Sequence, residues 1–235
     1  VAQKLSLFAA PAVEASDAYP AIIPFSSEGQ GALSRFGALN PVVRVSGGTS
    51  ESGLASAIGF IYQPTSKVDL RGFYGNVNAA LTSNKGFPGT PLGAGVFNGS
   101  YVLSTQLTLK PTKALDLALN YAHSYHQINI AGTGLSGADV GVLGGLPLTT
   151  ALHLNSFGTS LAWRFHPKVQ FTAYGAYLMA EQAGKGNAHS DLASWMAGFY
   201  FPDAFIKGNS AGILFGSPLY RVAAGNGAVL SPANI

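Results

Sequence analysis

A hairpin-like unit recurs four times along this chain: a strand-like run, a short turn carrying proline or lysine, a second run, and then a long stretch rich in glycine. The first unit runs from Leu54 to Tyr62, turns through Gln63, Pro64, Thr65, Ser66 and Lys67, and returns from Val68 to Gly75. The second runs from Tyr101 to Leu109, turns at Lys110, Pro111, Thr112 and Lys113, and returns from Leu115 to about Gln127. The third runs from Phe157 to Phe165, turns at His166, Pro167 and Lys168, and returns from Val169 to Leu178. The fourth joins Trp195–Phe201 to Ala211–Gly216 through Pro202, Asp203 and a lysine-bearing stretch. With a further run around Lys4 to Ala10, about nine strands are expected.

Successive residues of a strand face opposite sides, so parity sorts the side chains. In the second unit Tyr101, Leu103, Leu107 and Leu109 share one face, and Ser104, Gln106 and Thr108 the other. Its return run sets Leu115, Leu117, Leu119 and Tyr121 against Asp116, Ala118, Asn120 and Ala122. In the third, Phe157, Leu161, Trp163 and Phe165 oppose Gly158, Ser160, Ala162 and Arg164. A soluble β-sandwich also alternates, because each sheet buries one face. It would cover the other face with charge, whereas this chain is only 10% charged and 47% hydrophobic. Soluble domains carry about 25% charged residues.

The second face is glycine, alanine, serine, threonine and an occasional single charge, which suits a wet lumen. Tight turns alternating with long loops are the layout of outer-membrane barrels. The aromatic residues Tyr62, Tyr74, Tyr101, Tyr121, Tyr125, Trp163, Phe165, Tyr177, Trp195 and Phe201 fall near expected strand ends, where interfacial girdles sit. A membrane-spanning helix is excluded for the charge-free stretch Phe87 to Leu109, because Pro88, Gly89, Pro91, Gly93, Gly95 and Gly99 break it. The remaining way to cross a bilayer with every backbone amide satisfied is a closed barrel. The fold expected is therefore all-β, an antiparallel transmembrane β-barrel of porin type in the cell outer membrane. An odd strand number and a coil-like end from Leu230 to Ile235 make this one part of a barrel domain spanning residues 1–235, with further strands expected on both sides. Val1 to Ala10 lacks the basic start and long apolar run of a signal peptide, so the exported protein is expected to begin earlier.

Three short motifs carry a family resemblance. Gly31-Ala32-Leu33-Ser34-Arg35-Phe36-Gly37 with Asn40 and Pro41 is one; Phe97-Asn98-Gly99-Ser100-Tyr101 followed by Gln106 to Pro111 is another. Phe201-Pro202-Asp203 with Gly208, Asn209 and Gly212 is the third. Together they resemble cyanobacterial outer-membrane porins of the carbohydrate-selective type, which carry an amino-terminal surface-layer-homology domain. The resemblance implies a barrel of about sixteen strands, the size that leaves an aqueous channel. It also implies homotrimers and passive uptake of small solutes, with inorganic ions or sugars as cargo. Anchoring to peptidoglycan would run through the surface-layer domain, which this sequence lacks.

In a pore, selectivity comes from lumen side chains and from any loop folded into it. Parity nominates Asp69, Arg71, Gln106, Asp116, Asn120, Arg164 and Gln170 as pore-lining, against the plainer reading that several pair across strands without touching solute. The segment 11–48 is too long for a turn and is expected to fold into or over the pore, with Arg35 and Arg44 at the constriction. The plainer reading is an external loop against a neighbouring subunit. Lysines at the short turns, Lys67, Lys110, Lys113, Lys168 and Lys207, fit the ordinary need for polar residues at a membrane surface, with lipid head groups or peptidoglycan as the sharper alternative.

No catalytic residue, metal or cofactor is expected. Gly132, Gly134 and Gly137 match a dinucleotide-binding string, but no helix follows to hold a pyrophosphate. Asp116, Ser124 and His126 share one face, yet strand geometry puts Asp116 and Ser124 roughly 26 Å apart. His123 and His126 differ in parity and form no metal pair, and there is no cysteine. A net charge of +3 with scattered basic residues gives no nucleic-acid footprint. Two other functions stay open at this point: a structural barrel tying the outer membrane to the cell wall, and a soluble β-barrel binding an apolar ligand.

Overall fold

A computed structural model describes residues 4–14, 54–77, 100–126, 152–183 and 188–225. These residues form nine strands: β1 (Lys4–Glu14), β2 (Leu54–Thr65), β3 (Val68–Val77), β4 (Ser100–Thr112), β5 (Leu115–His126), β6 (Leu152–His166), β7 (Val169–Gln182), β8 (His189–Pro202) and β9 (Ser210–Gly225). They make one sheet in sequence order, each strand antiparallel to the next, and no helix occurs among the described residues. The sheet is open, with β1 and β9 at its edges.

The four expected hairpins are present, and three share a turn device. Their strands close at Thr65↔Val68, Thr112↔Leu115 and His166↔Val169, each just beyond a register shift. The first residue of each turn accepts a backbone N–H two residues on: Thr65 Oγ1 from Lys67, Thr112 Oγ1 from Ala114, and His166 Nδ1 from Lys168, all at 3.2 Å. A side chain that imitates a backbone turn in this way satisfies an amide that the ladder leaves over.

Two strand limits differ from the sequence expectation. Strand β1 continues through Pro11 to Glu14, so the segment expected to be a loop from residue 11 begins as strand. The pairing shifts between Ala10 and Val13, and such a shift lets proline sit in a strand without a missing ladder bond. Strands β7 and β8 run to Gln182 and from His189, which leaves a short connection in place of a long loop between them. Glu181, Gln182, His189 and Asp191 interrupt apolar alternation but not backbone pairing, which is why the sequence pattern stopped short. As a consequence Trp195 sits mid-strand, opposite Gly175, not at a strand end.

The two faces of the sheet are inverted relative to a soluble protein. Leu7 is 78% and Ile213 65% exposed, and Ile58, Leu103, Leu119, Phe157, Trp163 and Phe215 share their outward face. The opposite face buries polar groups: Gln106 and Ser124 are fully inaccessible, and Ser104, Thr108, Asn120, Ser156, Ser160 and Thr172 nearly so. Gly72 shows how tightly the outward face is packed, because the Phe60 ring lies where its Cβ would be. An aromatic ring folded over a cross-strand glycine restores the packing that glycine lacks.

Candidate functional site

The buried polar face is the candidate site, and its densest part spans β2 to β5. Asp69 and Arg71 stand two apart on β3 and so point the same way. Arg71 Nε donates to Asp69 Oδ1 at 2.6 Å and Nη2 to Oδ2 at 2.9 Å, a bidentate pair, while Gln63 Nε2 from β2 donates to Oδ2 at 2.9 Å. Paired forks of this kind are among the stronger protein hydrogen bonds. Register sets Arg71 opposite Gln106, and Gln106 opposite Asn120. Asn120 Nδ2 donates to Gln106 Oε1 at 3.0 Å, and Gln106 Nε2 to Thr108 Oγ1 at 2.8 Å.

Four of the seven nominated residues, Asp69, Arg71, Gln106 and Asn120, thus lie in one patch across β3 to β5. Asp116, Arg164 and Gln170 share the face but lie towards the short turns. Asp116 is opposite Ala162, Gln170 is opposite Tyr200, and Arg164 is exposed, its Nη2 donating to the Lys113 carbonyl at 3.2 Å. Arg35, Arg44 and the glycine string at 132–137 lie outside the described residues. Asp116 and Ser124 fall opposite Ala162 and Leu154, at the two ends of β5.

Parity nominated only charged and amide side chains, so the hydroxyl groups of β6 to β9 were passed over. The Tyr174 hydroxyl meets Ser194 Oγ at 3.3 Å, and Ser194 Oγ donates to the Ser217 carbonyl at 3.2 Å. Gln63 was also missed, since it belonged to an expected turn. Parity carried through β7 and β8 finds the hydroxyls. Among the described residues four buried polar atoms, Asn120 Oδ1, Ser160 Oγ, Thr172 Oγ1 and Ser190 Oγ, find no hydrogen-bond partner. Buried polar atoms are ordinarily paired with protein or water, so this face calls for a wet neighbour. It is not uniformly polar: Leu154, Leu178 and Leu192 are fully buried on it, Leu178 opposite Leu192.

The outward face carries two aromatic bands. Towards the short turns, Trp163 lies 5.2 Å from Phe165 and Phe171 5.2 Å from Phe199, centroid to centroid. At the other end Tyr74, Tyr101, Tyr125 and His153 follow one another at 6.2, 6.0 and 5.1 Å. Beneath them Asn155 Oδ1 accepts from the Tyr121 hydroxyl at 2.9 Å and lies 2.9 Å from His123 Nδ1. No helix among the described residues is long and apolar enough to cross a membrane, which says nothing of strands. Among the described residues no group of three His, Cys, Asp or Glu side chains is placed to hold a metal.

Comparison with known proteins adds one relative. The chain is 31% identical over 203 residues to an uncharacterized protein of Nostoc sp., covering 82% of this chain and 32% of that protein. It therefore spans about a third of that relative's length. No protein-family model and no solved structure matches.

Proposed function

We propose that this chain is a section of an outer-membrane β-barrel porin, through which small solutes or inorganic ions diffuse passively. The inversion of the two faces carries the reading. Leucines and aromatic rings on the exposed side suit lipid, and buried serine, threonine, asparagine and glutamine on the other suit a water-filled interior. Dimensions agree. From Phe165 to Asn155 on β6, strand rise and a barrel tilt of about 40° give roughly 25 Å along the membrane normal, the height of a lipid-facing apolar band. Among the described residues β1 and β9 are edge strands, and since such edges cannot face hydrocarbon with unpaired amides, this reading requires strands beyond the nine described to close the ring. The family resemblance implies about sixteen strands in the whole barrel, and trimers.

The leucine cluster on the polar face favours a second reading, a barrel filled on one side whose task is structural. Planar-bilayer conductance of the detergent-purified full-length protein decides between them, with reversal potential recorded under a salt gradient. Large, nearly ohmic steps are expected of a diffusion pore. Folded protein that gives no steps would overturn the porin reading in favour of the structural one.

A further inference from the structure

The turn between β8 and β9 is built unlike the other three. From Asp203 to Asn209 the backbone forms a knot of hydrogen bonds: Ala204 N–H to the Asn209 carbonyl at 3.1 Å, Ile206 to Ala204 at 2.7 Å, and Asn209 to Ile206 at 3.0 Å. Asp203 Oδ1 accepts the Gly208 N–H at 2.7 Å. Two residues that are not glycine adopt left-handed backbone, Asp203 at φ 53° and Phe205 at φ 65°. For a bulky side chain that conformation is unfavourable and rare. Reversing the chain does not require it, since the other hairpins turn tightly without it. What the loop achieves is to hold Phe205 100% exposed, with Ile206 and Lys207 beside it.

Next to this loop, against the β6–β7 turn, opens a cleft of about 530 Å³. Its walls include Val169, Phe201 and Ile213, from the outward rows of three strands, and Phe205 from the loop. His166 and Lys168 supply its basic side. Asp203 also lines it, but one of its carboxylate oxygens is engaged by the loop backbone.

We propose that this cleft binds an anionic membrane phospholipid, its phosphate against Lys168 and His166 and its upper acyl chain against Phe201, Ile213 and Phe205. The inference rests on the membrane reading, which puts the short-turn edge at head-group level. Complementarity of both kinds supports it: the Lys168 ammonium and the His166 ring meet a phosphate, and apolar walls on the lipid-facing side meet a chain. Lys110 near the end of β4 and Lys113 within the two-residue turn that follows have no projecting apolar loop beside them, and they serve as the internal control.

The test uses full-length protein in nanodiscs of phosphatidylcholine mixed with phosphatidylglycerol, with native mass spectrometry counting lipids retained after release. Preferential retention of phosphatidylglycerol is expected. Lys168→Gln should reduce it about fivefold, the effect of one basic residue near an anionic surface. Phe205→Ser should weaken retention of the same lipid, and Lys110→Gln should leave it unchanged. Equal retention of both lipids, or equal loss in Lys168→Gln and Lys110→Gln, would overturn the site while leaving the barrel standing. Protein that stays monodisperse without detergent and does not enter nanodiscs would remove the membrane reading and the site with it.

Discussion

The two halves of the sheet solve the same problem with different chemistry on the buried face. In β2 to β5 that face carries amide and charged groups in two hydrogen-bonded sets, Gln63 and Arg71 both donating to Asp69, and Asn120 donating to Gln106. In β6 to β9 it is hydroxyl groups around three inaccessible leucines. A largely hydrogen-bonded polar surface is what solvent or solute can run along, because most of its donors and acceptors are held in place while an acceptor such as Asn120 Oδ1 is left for water. Gln106 and Ser124 are as inaccessible as the leucines, so the two halves differ in whether the face is polar or apolar and not in exposure. If the barrel conducts, the path runs along the β2–β5 side, and the β6–β8 side supports it.

The sharpest way to break this contrast is Leu178→Ala. Removing a fully buried leucine costs about 2–5 kcal/mol when the cavity cannot collapse. The urea midpoint of the protein in lipid vesicles should fall accordingly, while conductance of the folded fraction stays as it was. A cost under about 1 kcal/mol would mean that the cluster is not packed core. Next comes Gln106→Leu, which removes the acceptor of Asn120 and the donor to Thr108. Stranding such groups costs about 1–3 kcal/mol, and on the porin reading single-channel conductance should change too, because the altered group belongs to the proposed polar path.

Charge selectivity sharpens the same contrast. Asp69 and Arg71 are paired, so together they impose little net field on a passing ion. Arg71→Ala leaves a carboxylate facing the interior and should move the reversal potential towards cation preference; Asp69→Asn removes the negative charge beside the guanidinium and should move it towards anions. Opposite shifts of similar size place the pair on the ion path. Two unchanged potentials would mean that permeant ions pass elsewhere.

Most of this architecture was legible in the sequence because strand parity is a strong signal wherever leucine or aromatic residues alternate with small polar ones. Tyr101 to Leu109 and Leu115 to Tyr121 fell on the expected faces, and the turns at Lys67, Lys113 and Pro167 lay where proline and lysine marked them. The signal failed where alternation survived in the backbone but not in hydropathy. Glu181, Gln182, His189, Ser190 and Asp191 are polar on both faces, yet they pair as regularly as the leucines do. Spacing along one strand nominated Asp69, Arg71, Gln106 and Asn120, but their convergence depends on cross-strand register, which one sequence does not display. The left-handed backbone of Phe205 had no marker either, since a bulky residue seldom adopts it, whereas aspartate, as at Asp203, visits it more readily.

The smallest effect is expected at Arg164. It lies on the polar face towards the short turns, exposed, with its side chain donating to a turn carbonyl. Surface substitutions of this kind usually change stability by no more than about 0.5 kcal/mol. Arg164→Ala should therefore leave unfolding unaltered. Its charge still stands at one mouth of the proposed channel, where a screened field acts over about 8 Å at physiological salt. Any shift in reversal potential should be small in high salt and larger in low salt, in the direction of weaker anion preference. A shift that ignores ionic strength would place Arg164 in a constriction and move the narrowest point from the β2–β5 patch to the short-turn rim.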